Sequence, residues 1–160
     1  MLSDGLGHGV LAREASDRAL ATAEANPSAA PATILSACGT ALQGSRGAVL
    51  AIVRLEEAEH ALNAVSVGNI RAGVCLSGSV ARVLSQAGIV GVSSSRVVPR
   101  SSRLAVPPNA LLVLATDGTH DPLAECATPE IHTLPPWALA QRILERSGKS
   151  HDDAMVVVVR

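Results

Sequence analysis

The amino-acid sequence predicts an α+β fold. Its segments come as a helical pair, then a series of short apolar strands parted by Gly and Ser, then one more helix and strand, an order that favours stacked layers over alternating βαβ units. The chain is 48% apolar and 17% charged, which excludes a disordered chain. At 160 residues it predicts one domain, residues 1–160, with enough apolar surface for a core. That core must be built of Val, Leu, Ile and Ala, because the chain has no Phe, no Tyr and one Trp.

The elements follow in order. Residues 1–9 read as a glycine-rich turn, Met1-Leu2-Ser3-Asp4-Gly5-Leu6-Gly7-His8-Gly9. Val10 to Ala25 is Ala-rich and helical, with Val10, Leu11, Ala15, Ala19 and Ala23 on one face, and Asn26-Pro27-Ser28 stops it. Pro31 opens a second helix through Leu42, with Ile34, Leu35, Cys38 and Leu42 at helical spacing. Ala48–Val53 is a continuous apolar run, read as a buried strand, and Leu62–Val67 is another. Gly68-Asn69 is a turn signal, so Ile70–Leu76 is expected to return as the second strand of a hairpin. Short strands are expected at Val80–Leu84, Ile89–Val92 and within Arg96–Val106, with Ser93-Ser94-Ser95 a polar loop. Ala110–Thr116 is a strand ended by Asp117-Gly118. Leu134–Ser147 is helical, with Trp137, Leu139, Ala140, Ile143 and Leu144 inward. The valines Val156–Val159 read as a fully buried strand.

Charge and cysteines narrow the function. A net charge of −1 lacks the basic excess of a nucleic-acid binder. Cys38, Cys75 and Cys126 lie far apart with no Cys-x-x-Cys pair, which points to a reduced, cytoplasmic compartment. No apolar run is long enough to cross a membrane, and the N-terminus lacks the pattern of a signal peptide.

Three places set Asp at the edge of an apolar strand or glycine turn: Asp4-Gly5, Asp117-Gly118 and Asp152-Asp153. Carboxylates gathered at one sheet end repel one another unless a hard cation neutralises them, and an all-oxygen set suits Mg²⁺ or Mn²⁺. Turn chemistry accounts equally well for each site alone, since Asp-Gly is a common turn dipeptide and Asp a common helix cap.

Order and spacing add a resemblance. Asp4-Gly5-Leu6-Gly7-His8-Gly9 with its Ala-rich helix, Val67-Gly68-Asn69-Ile70-Arg71, Ala115-Thr116-Asp117-Gly118 and His151-Asp152-Asp153-Ala154-Met155 resemble the PPM-type, metal-dependent serine/threonine protein phosphatases, in particular the bacterial SpoIIE- and RsbX-like branch. The match runs over nearly the whole chain, and the opening motif is its most specific part. The resemblance implies an antiparallel β-sandwich with helices on both outer faces. It implies two Mn²⁺ or Mg²⁺ ions held by Asp4, the Gly5 carbonyl, Asp117 and Asp152, with Asp153, where the family often has Asn, as a further ligand. Asp4, Asp117 and Asp152 are then the catalytic set, and a water activated by the ions attacks phosphorus without a covalent phosphoenzyme. The implied substrate is a phosphorylated bacterial regulatory protein of stressosome or sigma-factor control. The family has further strands before its first Asp-Gly, one bearing another acidic ligand. The chain starts three residues before Asp4, so the expectation is an N-terminally truncated domain with an exposed sheet edge.

Several other residues carry two readings each. His8 could donate a proton to the leaving group, against a favoured structural hydrogen bond in its loop. His120 and Asp121 are expected to begin a helix, and His151 is open to either reading. Arg71, Arg100 and Arg103 are candidates for a substrate phosphate, against plain surface charge. Cys38, Cys75 and Trp137 are expected to pack in the core. Gly5-x-Gly7-x-Gly9 lacks the Gly-Lys-Ser/Thr of a P-loop and the preceding strand of a dinucleotide site, which disfavours a nucleotide-binding domain. The expected activity is phosphoserine/phosphothreonine hydrolysis; the alternative is a non-catalytic remnant of the same fold that binds a regulatory partner.

Overall fold

Alternation of apolar side chains along the central strands gives each sheet two faces to bury. The computed structural model describes residues 1–92 and 97–160. One sheet holds β1 (Leu2–Gly5), β2 (Ala48–Glu56), β3 (Ala61–Val67), β6 (Ser85–Gln86) and β7 (Ser102–Ala105), in the order β1-β2-β3-β6 with β7 also on β3. The other holds β4 (Arg71–Leu76), β5 (Ser79–Arg82), β8 (Leu111–Ala115) and β9 (Val156–Val159), in the order β5-β4-β8-β9. All pairs are antiparallel except β3 with β6.

Helices α1 (Val10–Glu24) and α2 (Pro31–Ala41) cover the outside of the first sheet, and α3 (Pro122–Glu125) and α4 (Pro136–Ser147) the outside of the second. The interior is therefore sorted into three layers. Leu50, Ile52, Val65 and Val67 face α1 and α2; Ala51, Leu62, Val74, Leu112 and Leu114 meet between the sheets; Leu111 and Val113 face α3 and α4. Leu50, Leu62 and Leu111 are wholly buried, each contributing about 1.5–3 kcal/mol of transfer free energy. Among the described residues no helix is long and apolar enough to cross a membrane.

Most expected elements form close to their predicted bounds, and the departures have physical causes. Residues 1–9 are not all turn. Leu2–Gly5 is a strand, because its main chain pairs with β2 in the register Asp4 opposite Val49, and Leu2 is buried between the sheets. It lies at the edge of its sheet.

Gly68-Asn69 does not close a hairpin, since β3 and β4 lie in different sheets. Both edges of β3 are taken, by β2 on one side and by β6 and β7 on the other, so the chain must cross to the second sheet. Ile70 is buried between the sheets at that crossing.

On α1 the buried stripe is Ala12, Ala15 and Ala19, with Val10 and Leu11 exposed. Small side chains there let the helix lie close on β1. Trp137 is 71% exposed, whereas Leu139 and Ile143 of the same helix are buried. The closing valines form an edge strand with one neighbour, β8, and are only partly buried. The strand expected at Ile89–Val92 reduces to a single bridge, Val90 with Ala48. Within Arg96–Val106 the strand is β7, and the expected loop Ser93-Ser94-Ser95 and Arg96 lie outside the described residues.

Candidate functional site

The acidic residues are delivered by three separate backbone segments. Asp4 is the penultimate residue of β1. Asp117 follows β8 in a turn closed by the Thr119 N–H to the Thr116 carbonyl, at 3.3 Å. Asp152 and Asp153 precede β9.

Thr116 ties the second and third segments together. Its N–H donates to the Met155 carbonyl at 3.0 Å, and its hydroxyl accepts from the Met155 N–H at 3.0 Å. The Lys149 N–H donates to the Gly118 carbonyl at 2.8 Å. The wholly buried Thr119 donates its hydroxyl to the Thr116 carbonyl at 2.8 Å. From β4, Arg71 donates to the Thr119 carbonyl at 3.0 Å and so braces the turn.

The glycines of the Asp-Gly pairs are set by close approach. A Cβ on Gly5 would stand 1.9 Å from the Ala12 carbonyl oxygen of α1, and one on Gly118 would stand 2.1 Å from the Asp153 carbonyl oxygen. Neither has a positive φ. Turn conformation alone therefore does not account for them; each lets an Asp-bearing segment press against its neighbour.

Asp4, Gly5, Asp117, Asp152 and Asp153 all line one cleft of about 610 Å³. Burial, and then the charges of Asp117, Asp152 and Asp153, hold the Asp4 carboxyl above the usual aspartate range. Asn69 donates to Asp117 Oδ2 at 2.5 Å. Among the described residues no Lys or Arg forms an ion pair with any of these carboxylates. A cavity of similar volume, about 600 Å³, lies between α2 and Val90, Gly91, Val92, Val97 and Pro99, but no ionisable side chain is among its described lining.

The donor set bears on which ion could be held. The carboxylates offer hard oxygens, as Mg²⁺ and Mn²⁺ require, and no Lys or Arg among the described residues offsets their charge in an ion pair. The buried Ser3 Oγ has no hydrogen-bond partner among the described residues and borders a smaller cavity, about 150 Å³, with Asp4 and Asp153. A hydrated cation would suit both conditions. Among the described residues, however, no three acidic, His or Cys side chains converge closely enough to grip a single ion between them. The carboxylates ring the cleft at wider spacing.

The remaining candidates divide. His8 and His151 line the cleft; His8 is exposed and makes no hydrogen bond among the described residues, against the loop bond expected for it. Asp121 begins α3 as its cap, accepting from the Ala124 N–H at 3.3 Å, and pairs with Arg82 at 3.1 Å. None of the three candidate arginines lines the cleft. Arg71 serves the turn, Arg103 pairs with Glu56 and Glu59, and the Arg100 N–H is held by Gln86. The sequence marks Thr116 only as part of the Ala115-Thr116-Asp117-Gly118 motif and does not mark Thr119; a Thr on each side of an acidic turn is the signal that points to their bracing role.

Comparison with known proteins agrees with this architecture. The family model of stage II sporulation protein E (SpoIIE) matches residues 1–160. Among solved structures, one from work on the bacterial stressosome, a modular system adapted to control secondary messenger signalling, is 28% identical with a TM-score of 0.85, covering 99% of this chain and 82% of its own. RsbX in complex with magnesium is 21% identical with a TM-score of 0.82, over 98% of this chain and 77% of its own. The PP2C phosphatase domain of SpoIIE from Bacillus subtilis is 18% identical with a TM-score of 0.78, over 99% of this chain and 52% of that one. No curated protein sequence matches the chain.

Proposed function

The chain belongs to the SpoIIE family of PPM-type phosphatases, and we propose that residues 1–160 act as one metal-dependent domain that hydrolyses phosphoserine or phosphothreonine on a regulatory protein. The observation that carries this is the cleft. Carboxylates from three segments share it, burial and then the other three hold Asp4 above its usual range, and among the described residues no Lys or Arg pairs with any of them. Such an arrangement is stable at neutral pH when divalent cations supply the missing charge.

Asp4, the Gly5 carbonyl, Asp117 and Asp152 would hold two Mn²⁺ or Mg²⁺, with Asp153 as a further ligand. Bound there, the ions would supply Lewis-acid stabilisation of the phosphoryl oxygens and activation of an attacking water. The chain's own residues do the rest. Asn69 orients the Asp117 carboxylate through its 2.5 Å hydrogen bond. Thr116 fixes the distance between the Asp117 turn and the Asp152-Asp153 segment. His8, exposed and lining the cleft, would give a proton to the leaving serine or threonine oxygen. The relation to stressosome and SpoIIE structures supports a phosphorylated protein of bacterial stress or sigma-factor control as substrate, and the widely spaced cysteines fit a reduced, cytoplasmic setting for it.

The test is Mn²⁺-dependent hydrolysis of p-nitrophenyl phosphate by the wild-type chain beside Asp117→Asn. Activity that needs both Mn²⁺ and Asp117 is the expected result; hydrolysis unchanged by the substitution would sink the assignment. The wide spacing of the carboxylates favours a second reading, a non-catalytic member of the fold that binds a regulatory partner. Calorimetric titration separates the two, since two ions bound per chain would count against the second.

A further inference from the structure

A cleft with carboxylates on its walls must still hold an anionic substrate, so the cations beside it matter. Most arginines near the two sheets are already engaged. Arg71 holds the Thr119 carbonyl, Arg82 pairs with Asp121, and Arg103 with Glu56 and Glu59.

Arg46 is different. It stands exposed in the loop between α2 and β2 and makes no hydrogen bond or ion pair among the described residues. Its guanidinium lies against the glycine loop of the cleft, for a Cβ built on Gly7 would stand 2.6 Å from Arg46 Nη1. Gly7 itself lines the cleft. The two loops are joined, because the Leu6 N–H donates to the Gly47 carbonyl at 3.0 Å. Among the described residues Arg46 is thus an unpaired cation at the rim of an acidic cleft, separated from it by a residue with no side chain.

We propose that Arg46 reaches across Gly7 to bind the phosphoryl oxygens of the substrate, and so selects phosphorylated over unphosphorylated protein. This rests on the phosphatase reading of the cleft. A guanidinium offers a planar fork of donors that matches two phosphoryl oxygens, which an ammonium does not. Since Arg46 has no partner among the described residues, engaging a dianion breaks no pair formed there.

The test is equilibrium binding of a short peptide carrying phosphonomethyl-alanine, a non-hydrolysable phosphoserine analogue. It is titrated calorimetrically with Mn²⁺ present, beside the same peptide with plain alanine. Arg46→Ala should weaken the phosphonate peptide about tenfold or more, the loss of one charge-assisted contact, and leave the plain peptide unchanged. Arg46→Lys should recover part of the loss. Lys149, the single lysine of the chain, borders an adjoining groove with His120 and His151, and Lys149→Ala should bind as wild type.

Equal binding by Arg46→Ala and wild type overturns the inference, as does a loss with Lys149→Ala alone. Because Arg46 is exposed and unbonded, the melting temperature of Arg46→Ala should match wild type. The readouts also separate the two claims. Asp117-dependent hydrolysis with Arg46-independent binding overturns the role of Arg46 and keeps the phosphatase. Arg46-dependent binding without any hydrolysis keeps the phosphate contact and overturns the phosphatase.

Discussion

Asn69 donates its side-chain amide to Asp117 Oδ2 at 2.5 Å, across 48 positions of sequence. Asn69 lies where the chain crosses from one sheet to the other, so the bond ties that crossing to the end of β8. Replacing Asn69 by Ala frees the carboxylate to rotate. The expected outcome is a loss of about tenfold in Mn²⁺ affinity, measured by titration calorimetry, as for the removal of other outer hydrogen bonds to metal ligands. The unfolding free energy should fall by no more than about 1 kcal/mol, because the bond is exposed.

The Asp4 carboxyl titrates above its ordinary range because burial and three neighbouring carboxylates oppose its charge. A folded-state value above the unfolded one contributes stability that is complete below the unfolded value, about 3.9, and is lost as pH rises through the folded value. In EDTA, the urea midpoint should therefore decline as pH rises above about 4, and Asp4→Asn should remove part of that decline. Adding Mn²⁺ at pH 7 should raise the wild-type midpoint and have a smaller effect on Asp4→Asn. A wild-type midpoint equally insensitive to pH and Mn²⁺ would contradict this account.

Gly5 and Gly39 predict opposite results for the same substitution. A Cβ on Gly5 would collide with the main chain of α1 at Ala12, whereas one on Gly39 meets only Val90 Cγ1 at 3.9 Å, an ordinary contact. Gly39 also lies inside α2, where glycine is the poorer helix former. Gly5→Ala should lose about 2 kcal/mol or more by overpacking. Gly39→Ala should gain about 0.5–1 kcal/mol. Chemical denaturation followed by circular dichroism measures both.

The strands and helices were legible from composition and periodicity because their apolar runs are dense. Ala48–Val53 and Ala110–Thr116 fall within a few residues of β2 and β8. Pairing was less legible. Gly68-Asn69 has the chemistry of a hairpin turn, yet whether β4 folds back on β3 depends on β6 and β7, which lie far along the chain and already occupy that edge. Helix phase misled in the same way, since Val10 and Leu11 are the more hydrophobic residues but only alanine fits the gap above β1. The acidic residues could be named from the sequence; what holds them could not. Thr116, Thr119 and Arg71 act through main-chain partners, which no side-chain pattern announces.

The position of Trp137 has an optical consequence. It is the chain's one strong near-ultraviolet chromophore, and it sits 71% exposed on α4. Its indole meets solvent before unfolding as well as after, so emission should shift little when the sheets come apart. The interior holds no aromatic ring, since the chain has no Phe or Tyr and its one Trp lies outside, and is dark at 280 nm. Fluorescence of this protein therefore reports on whatever lands against α4, and a reporter of the cleft would have to be introduced there.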